Sequence, residues 1–220
     1  MKDNWFCYDN KIILFKELAQ EILNLAKKSI FEKGFFSIVI TGGQSVLGLY
    51  KILSKANSNF NKWHIYISDE RFLPKNHRDR NDKVINKIWL NNNKIPKKNI
   101  HFIQAELGLE KARNDYAHKL DKINLFDLVL VSVGEDGHIS SLFPRHKYAK
   151  NQSVIIERNS PKPPKERISI SLEKLNHSKN LFKVIIGQSK SPIVKKLLKG
   201  DQLVANSVKS EVEKVFVCTS

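Results

Sequence analysis

Phe126-Asp127-Leu128-Val129-Leu130-Val131-Ser132-Val133, followed at once by Gly134-Glu135-Asp136-Gly137-His138, is the stretch on which the fold turns. A near-continuous apolar run of this kind predicts a central strand buried on both faces. Its abrupt end in two glycines and two acids predicts a turn at the rim of a sheet. Outward from it, strand-like runs alternate with segments of helical period. Toward the N-terminus the pattern predicts a helix over Ile12–Phe31, a strand over Phe36–Ile40, a helix over Ser45–Ala56 and a strand over Trp63–Ile67. A helix near Asp82–Leu90, a short strand near Ile100–Ile103 and a helix near Leu109–Leu120 follow. Toward the C-terminus, strands are expected at Ser153–Ile156, Ile168–Leu172, Phe182–Ile186 and Val215–Val217. A helix over Ser191–Leu198 carries proline at an early position, where the missing N–H costs nothing. This alternation predicts an α/β fold of three layers: a Rossmann-like, mostly parallel sheet with helices on both faces, and a small additional β-containing region. No repeat or linker divides the chain, so one domain over residues 1–220 is expected.

Composition narrows the function classes. Apolar residues make up 41% and charged residues 27%, as in ordinary soluble domains. No apolar run approaches the ~20 residues of a membrane span, and Met1-Lys2-Asp3-Asn4-Trp5 has no secretory-signal character. Cys7 and Cys218 match no metal-ligand spacing, and two unpaired thiols in a reducing cytoplasm are expected. The net charge of +16 raises nucleic acid as a partner, yet only seven of the 38 basic residues are arginine and the lysines are scattered. Arginine is the preferred residue for bidentate phosphate and base recognition. Neither nucleic acid nor membrane is therefore expected as a partner; a basic, non-catalytic binding module is the remaining alternative of that kind. The field of such a chain does raise encounter rates with small anions. Oligomeric state is not legible.

In open parallel sheets, ligands bind beyond the carboxyl ends of the strands. Four polar clusters fall there: Thr41-Gly42-Gly43-Gln44-Ser45, Asp69-Glu70-Arg71, Asp136-Gly137-His138 and Gly187-Gln188-Ser189-Lys190. The first offers free N–H groups at a helix start and glycines that let an anion approach; a bare tight turn fits equally well. It matches neither a dinucleotide fingerprint nor a nucleotide P-loop. In the third, His138 has the pKa range of a general base, and Asp136 can orient it; a capping Asp beside a surface His is the bland alternative. The acids and guanidinium of Asp69-Glu70-Arg71 read either as an ion-pair network or as a clamp for sugar hydroxyls and an anion. Lys190 suits a phosphate as a point charge, although a solvated lysine is the commoner outcome. His64, His77, His101, His118, His146 and His177 read as surface or core residues. No G-x-S-x-G elbow or metal-ligand set is present.

Taken in this order, the clusters resemble the 6-phosphogluconolactonase family, within the wider group that includes glucosamine-6-phosphate deaminases. The match spreads over Thr41–Ser45, Trp63–Pro74, Phe126–Pro144 and Arg167–Lys190. Its most specific part is Asp136-Gly137-His138-Ile139-Ser140-Ser141-Leu142-Phe143-Pro144. The deaminases share D-G-H-I but continue with F-N-E-P, whose Glu serves their proton chemistry; no acid stands between His138 and Pro144 here. The resemblance implies 6-phospho-D-glucono-1,5-lactone as substrate and no cofactor or metal. It implies His138 as general base, Asp136 as its orienter, and Arg71 as a substrate ligand that stabilises the tetrahedral intermediate. Lys190 and the Gly42/Gly43 loop, with Ser45, would hold the 6-phosphate, with Arg167 a second phosphate ligand and Asp69 and Glu70 substrate contacts. The chain departs from the family pattern at Gln44 and Val46, at Arg80 where Ser is common, and at Arg145 where Gly is usual.

Overall fold

The structure, a computed structural model, describes residues 3–220. In chain order its strands and α-helices are β1 (Trp5–Cys7), α1 (Lys11–Lys33), β2 (Phe36–Ile40), α2 (Leu47–Leu53), β3 (Trp63–Ile67), β4 (Asp69–Arg71), α3 (Asn81–Ile88), β5 (Ile100–His101) and α4 (Leu109–Leu120). Then come β6 (Phe126–Ser132), β7 (Val154–Glu157), β8 (Arg167–Ile170), α5 (Leu172–Asn176), β9 (Ser178–Ile186), α6 (Ser191–Lys199), α7 (Val204–Ser207) and β10 (Val212–Cys218). Seven strands form one sheet in the order β1-β10-β9-β6-β2-β3-β5, every neighbouring pair parallel. β4, β8 and β7 form a separate antiparallel sheet.

Strand order fixes where the site falls. From β2 the chain steps to β3 and β5; from β6 it steps the other way, to β9 and β10. Right-handed crossovers then put α2 and α3 on one face and α6 on the other. The reversal lies between β2 and β6, whose Ile38 and Val39 pair with Leu128 and Val129. The loops leaving those two strands diverge and open a crevice at the switch point. Two buried tyrosines pin the rim. The Tyr50 hydroxyl donates to the Thr41 carbonyl at 2.5 Å. The Tyr116 hydroxyl bonds both the carbonyl (2.7 Å) and the N–H (2.9 Å) of Ile67.

Ser68 joins the two sheets. Its N–H donates to Ile40 of the parallel sheet, and its carbonyl accepts from Ile170 of the small one, both at 2.8 Å. One contiguous apolar core runs from Leu14 on α1 through β2, β6 and β9 to Ile155 and Ile168 of the small sheet. Two expectations are corrected. Leu172 does not extend a strand but opens α5, whose N-cap Ser171 accepts from Lys174 N–H, and Asp69-Glu70-Arg71, expected at the end of the Trp63–Ile67 strand, is a strand of its own in the small sheet. Among the described residues, no helix is long and apolar enough to cross a membrane.

Candidate active site

The loops after β2, β6 and β9 converge with β4 and β8 on a cavity of about 200 Å³. Gly42, Gly43, Ser45, Asp69, Arg71, His138, Arg167 and Lys190 all border it. Asp136 and Glu70 do not, for different reasons.

Asp136 stands behind His138. Its Oδ1 accepts the His138 backbone N–H at 3.1 Å and is bonded to the ring Nδ1. An ionised carboxylate on Nδ1 puts the ring proton there and leaves the Nε2 lone pair available. Burial raises the Asp136 carboxyl, but the bond to His138 and its charge outweigh that and bring it down to about 2. The imidazole packs against Gly134, where a Cβ would come within 2.1 Å of Cε1. The Phe143 ring also contacts it, 4.9 Å between centroids.

Glu70 is turned away by strand alternation. Successive residues of β4 point to opposite faces, so Asp69 and Arg71 reach the cavity while Glu70 is fully buried beneath α3. Its carboxylate accepts the N–H groups of Arg71, Asn81 and Asp82, each at 2.8 Å. The expected hydroxyl ligand is thus a cap for a helix whose own N-cap residue, Arg80, makes no side-chain capping bond. Burial lifts the Glu70 carboxyl to about 7 against those three bonds.

The cationic side of the cavity comes from three elements. Arg71 on β4 donates from Nη1 to the Asp79 carbonyl at 2.6 Å, while its buried Nε has no partner. Arg167 on β8 donates to the carbonyls of Lys162, Pro163 and Pro164. Lys190 follows Gly187, which sits at φ +114, and Nζ lies 3.4 Å from Ser132 Oγ. Burial lowers the pKa of both Arg167 and Lys190, the cost of gathering cations that an anion would offset. Ser45 Oγ lies 2.9 Å from Ser132 Oγ. Asp69 holds the far wall, accepting from Ser141 Oγ at 2.6 Å and Ser68 Oγ at 3.1 Å.

Several cavity residues escape sequence reasoning. Asn81 packs under Gly42, where a Cβ would come within 2.1 Å of its Oδ1, and donates to the Asp69 carbonyl. Ser140 sits at φ 55 with a buried hydroxyl lacking a partner. Lys162 and Glu135 face each other across the mouth, 3.8 Å apart, and Glu135 also accepts from Ser189 at 2.8 Å. Ser132 shows in the sequence as a polar break in an apolar run, and Ser140 lies inside the most specific motif.

The model of the family described as glucosamine-6-phosphate isomerases/6-phosphogluconolactonase matches residues 9–217, and the chain belongs to that family of enzymes. Among its relatives, 6-phosphogluconolactonase 3, chloroplastic, of Arabidopsis thaliana is 33% identical over 230 residues, covering 95% of this chain and 71% of that protein. The crystal structure of the Thermotoga maritima 6-phosphogluconolactonase superposes with a TM-score of 0.90 at 26% identity, covering 96% of this chain and 97% of that one. A monomeric glucosamine-6-phosphate deaminase also superposes, with a TM-score of 0.83 at 18% identity, over 97% of this chain and 96% of its own. The fold is common to solved structures of both names.

Proposed function

We propose that the protein hydrolyses 6-phospho-D-glucono-1,5-lactone to 6-phospho-D-gluconate, as in the oxidative pentose phosphate pathway, by a route that calls on no metal or cofactor. The observation that carries this reading is the imidazole of His138, held at Nδ1 by Asp136, in a cavity that Arg71 and Arg167 also border. Water attacks the lactone carbonyl as its proton passes to His138 Nε2. Arg71 stabilises the tetrahedral oxyanion. As that intermediate collapses, the bond from C1 to the ring oxygen breaks and the ring oxygen takes the proton back from Nε2. Lys190, Arg167 and the Gly42/Gly43 backbone grip the phosphate, and binding energy spent there positions the carbonyl for attack.

The segment Ile139–Phe143 supports the lactonase over the deaminase. It brings the hydroxyls of Ser140 and Ser141 beside the site and no carboxylate. Among the described residues, neither Cys7 nor Cys218 is in a disulfide, which suits the cytoplasm as the place of the reaction.

The test is hydrolysis of freshly generated lactone, followed with a coupled dehydrogenase against the spontaneous rate, for wild type and His138→Ala. Acceleration that disappears in the folded variant is the expected result. Acceleration that survives would move the base to another group. Ammonia release from glucosamine 6-phosphate in place of lactone hydrolysis would overturn the assignment.

A further inference from the structure

The Phe143 ring stands between two imidazoles, with centroid distances of 4.9 Å to His138 and 5.7 Å to His146. Each imidazole has its Nδ1 on a carboxylate: Asp136 for His138, and Glu157 Oε2, at 2.7 Å, for His146. The second pair lies outside the cavity, and the reaction above does not use it. Glu157 on β7 is only 3% exposed. Its Oε2 also accepts the Tyr148 hydroxyl at 2.7 Å, and its Oε1 accepts the Asn159 N–H at 2.5 Å. Burial raises the Glu157 carboxyl, but the bonds from Tyr148 and His146 outweigh that and hold it below the usual range.

A buried carboxylate is costly, and an apolar side chain of similar size would fill such a strand position at least as well. What the charge adds is direction. Tyr148, fixed by Glu157, accepts the Phe143 N–H at 2.8 Å. That bond sets the backbone from which the Phe143 ring reaches His138. The same turn is held at its other end by Ser141 Oγ on Asp69 and by Ser141 N–H on Ser169 Oγ, so Phe143 is its outer anchor.

We infer that Glu157 is a positioning residue for the hydrolytic site, fixing through Tyr148 and His146 the placement of Phe143 against the imidazole of His138. The inference rests on the lactonase reading for its kinetic expression, but the placement of the His138 ring can be observed without the reaction.

The experiment compares wild type, Glu157→Gln, Tyr148→Phe and the double variant in lactone hydrolysis and in NMR spectra of the His138 ring. Glu157→Gln keeps the shape of the side chain and removes its charge. Because misplacement of a reacting group by about 1 Å costs on the order of 10²-fold, a partial loosening is expected to lower kcat by about tenfold. KM changes less than kcat, since the Glu157 carboxylate bonds none of the phosphate ligands and its charge acts on Arg167 only through space. The two substitutions act through one bond, so the double variant falls no further than the worse single one. The His138 ring resonances broaden or split in both folded variants. A folded Glu157→Gln with wild-type kcat and an unchanged His138 spectrum overturns the inference, as does simple additivity. Should Glu157→Gln not fold, Tyr148→Phe, which keeps the carboxylate with His146 and Asn159, carries the same test. If wild type does not hydrolyse the lactone, the functional reading fails, and the His138 spectra alone decide the positioning role.

Discussion

Arg71 and Arg167 stand directly opposite one another across β4 and β8. Opposed residues of an antiparallel pair project from the same face, and like charges so placed repel. Backbone carbonyls hold the two guanidiniums in place. Among the described residues, neither has a carboxylate within ion-pair distance, which leaves the pair able to take the anion that the proposed reaction brings.

Removing one charge from that pair should weaken substrate capture. A hydrogen bond to a charged group contributes about 1.5–3 kcal/mol, so Arg71→Gln is expected to lower kcat/KM by about 10- to 100-fold. Inorganic phosphate at constant ionic strength should raise the melting temperature of wild type more than that of the variant. Equal shifts would remove Arg71 from anion binding.

Gly134 is required for a different reason. Its backbone is not in the left-handed region, so alanine is tolerated by the chain, yet a Cβ would overlap His138 Cε1. Gly134→Ala is expected to fold with near-wild-type circular dichroism while kcat falls by about 10²-fold, the usual cost of a displaced reacting group. A folded variant with unchanged kcat would show that the ring need not lie where it does.

Arg80 serves stability rather than substrate. It is 1% exposed and donates to both oxygens of Asp82, to Glu106 and to the carbonyls of Leu73 and Ile103. Arg80→Met leaves Asp82 without its ion-pair partner and Glu106 with Lys75 alone, and breaking a buried pair costs about 3–5 kcal/mol. Urea denaturation should report a loss of that size, with substrate affinity little changed in the folded fraction.

Glu70 gives stability a pH dependence. Burial pushes its carboxyl up to about 7 in the folded chain, from an ordinary value of 4.5. A group whose folded pKa is raised contributes stability that is full below its unfolded pKa and lost as pH rises through the folded one. The urea midpoint should therefore fall between pH 4.5 and pH 8, and Glu70→Gln should flatten that slope. Parallel slopes for the two proteins would place the titration elsewhere.

Much of this was legible in the chain because buried parallel strands announce themselves as continuous apolar runs. Phe36–Ile40 and Trp63–Ile67 have the boundaries their sequences predict. β1 escaped because three residues paired only with β10 carry no pattern. β4 escaped because Asp69-Glu70-Arg71 owes its extended form to pairing with β8, nearly a hundred residues away. For the same reason Glu70 was grouped with its neighbours, when alternation sends it to the opposite side. Lys162 could not be read as a cavity residue, since its Pro-rich loop is brought there by Arg167. The two departures with a structural outcome are also clear in hindsight. Arg80 became an internal clasp, and Arg145 sits at φ 67, a left-handed conformation that glycine adopts without strain.

Ser68 alone separates β3 from β4, and its peptide groups bond to both sheets. A ligand touching His138 and Arg71 together would span that junction, so the spacing between the base and the guanidinium that meets the oxyanion is gauged against a single amino acid. Inserting one residue there would reverse the β4 alternation, turning Glu70 inward and Arg71 out. Loops around the rim can drift in length and composition over evolutionary time; this joint has no such latitude.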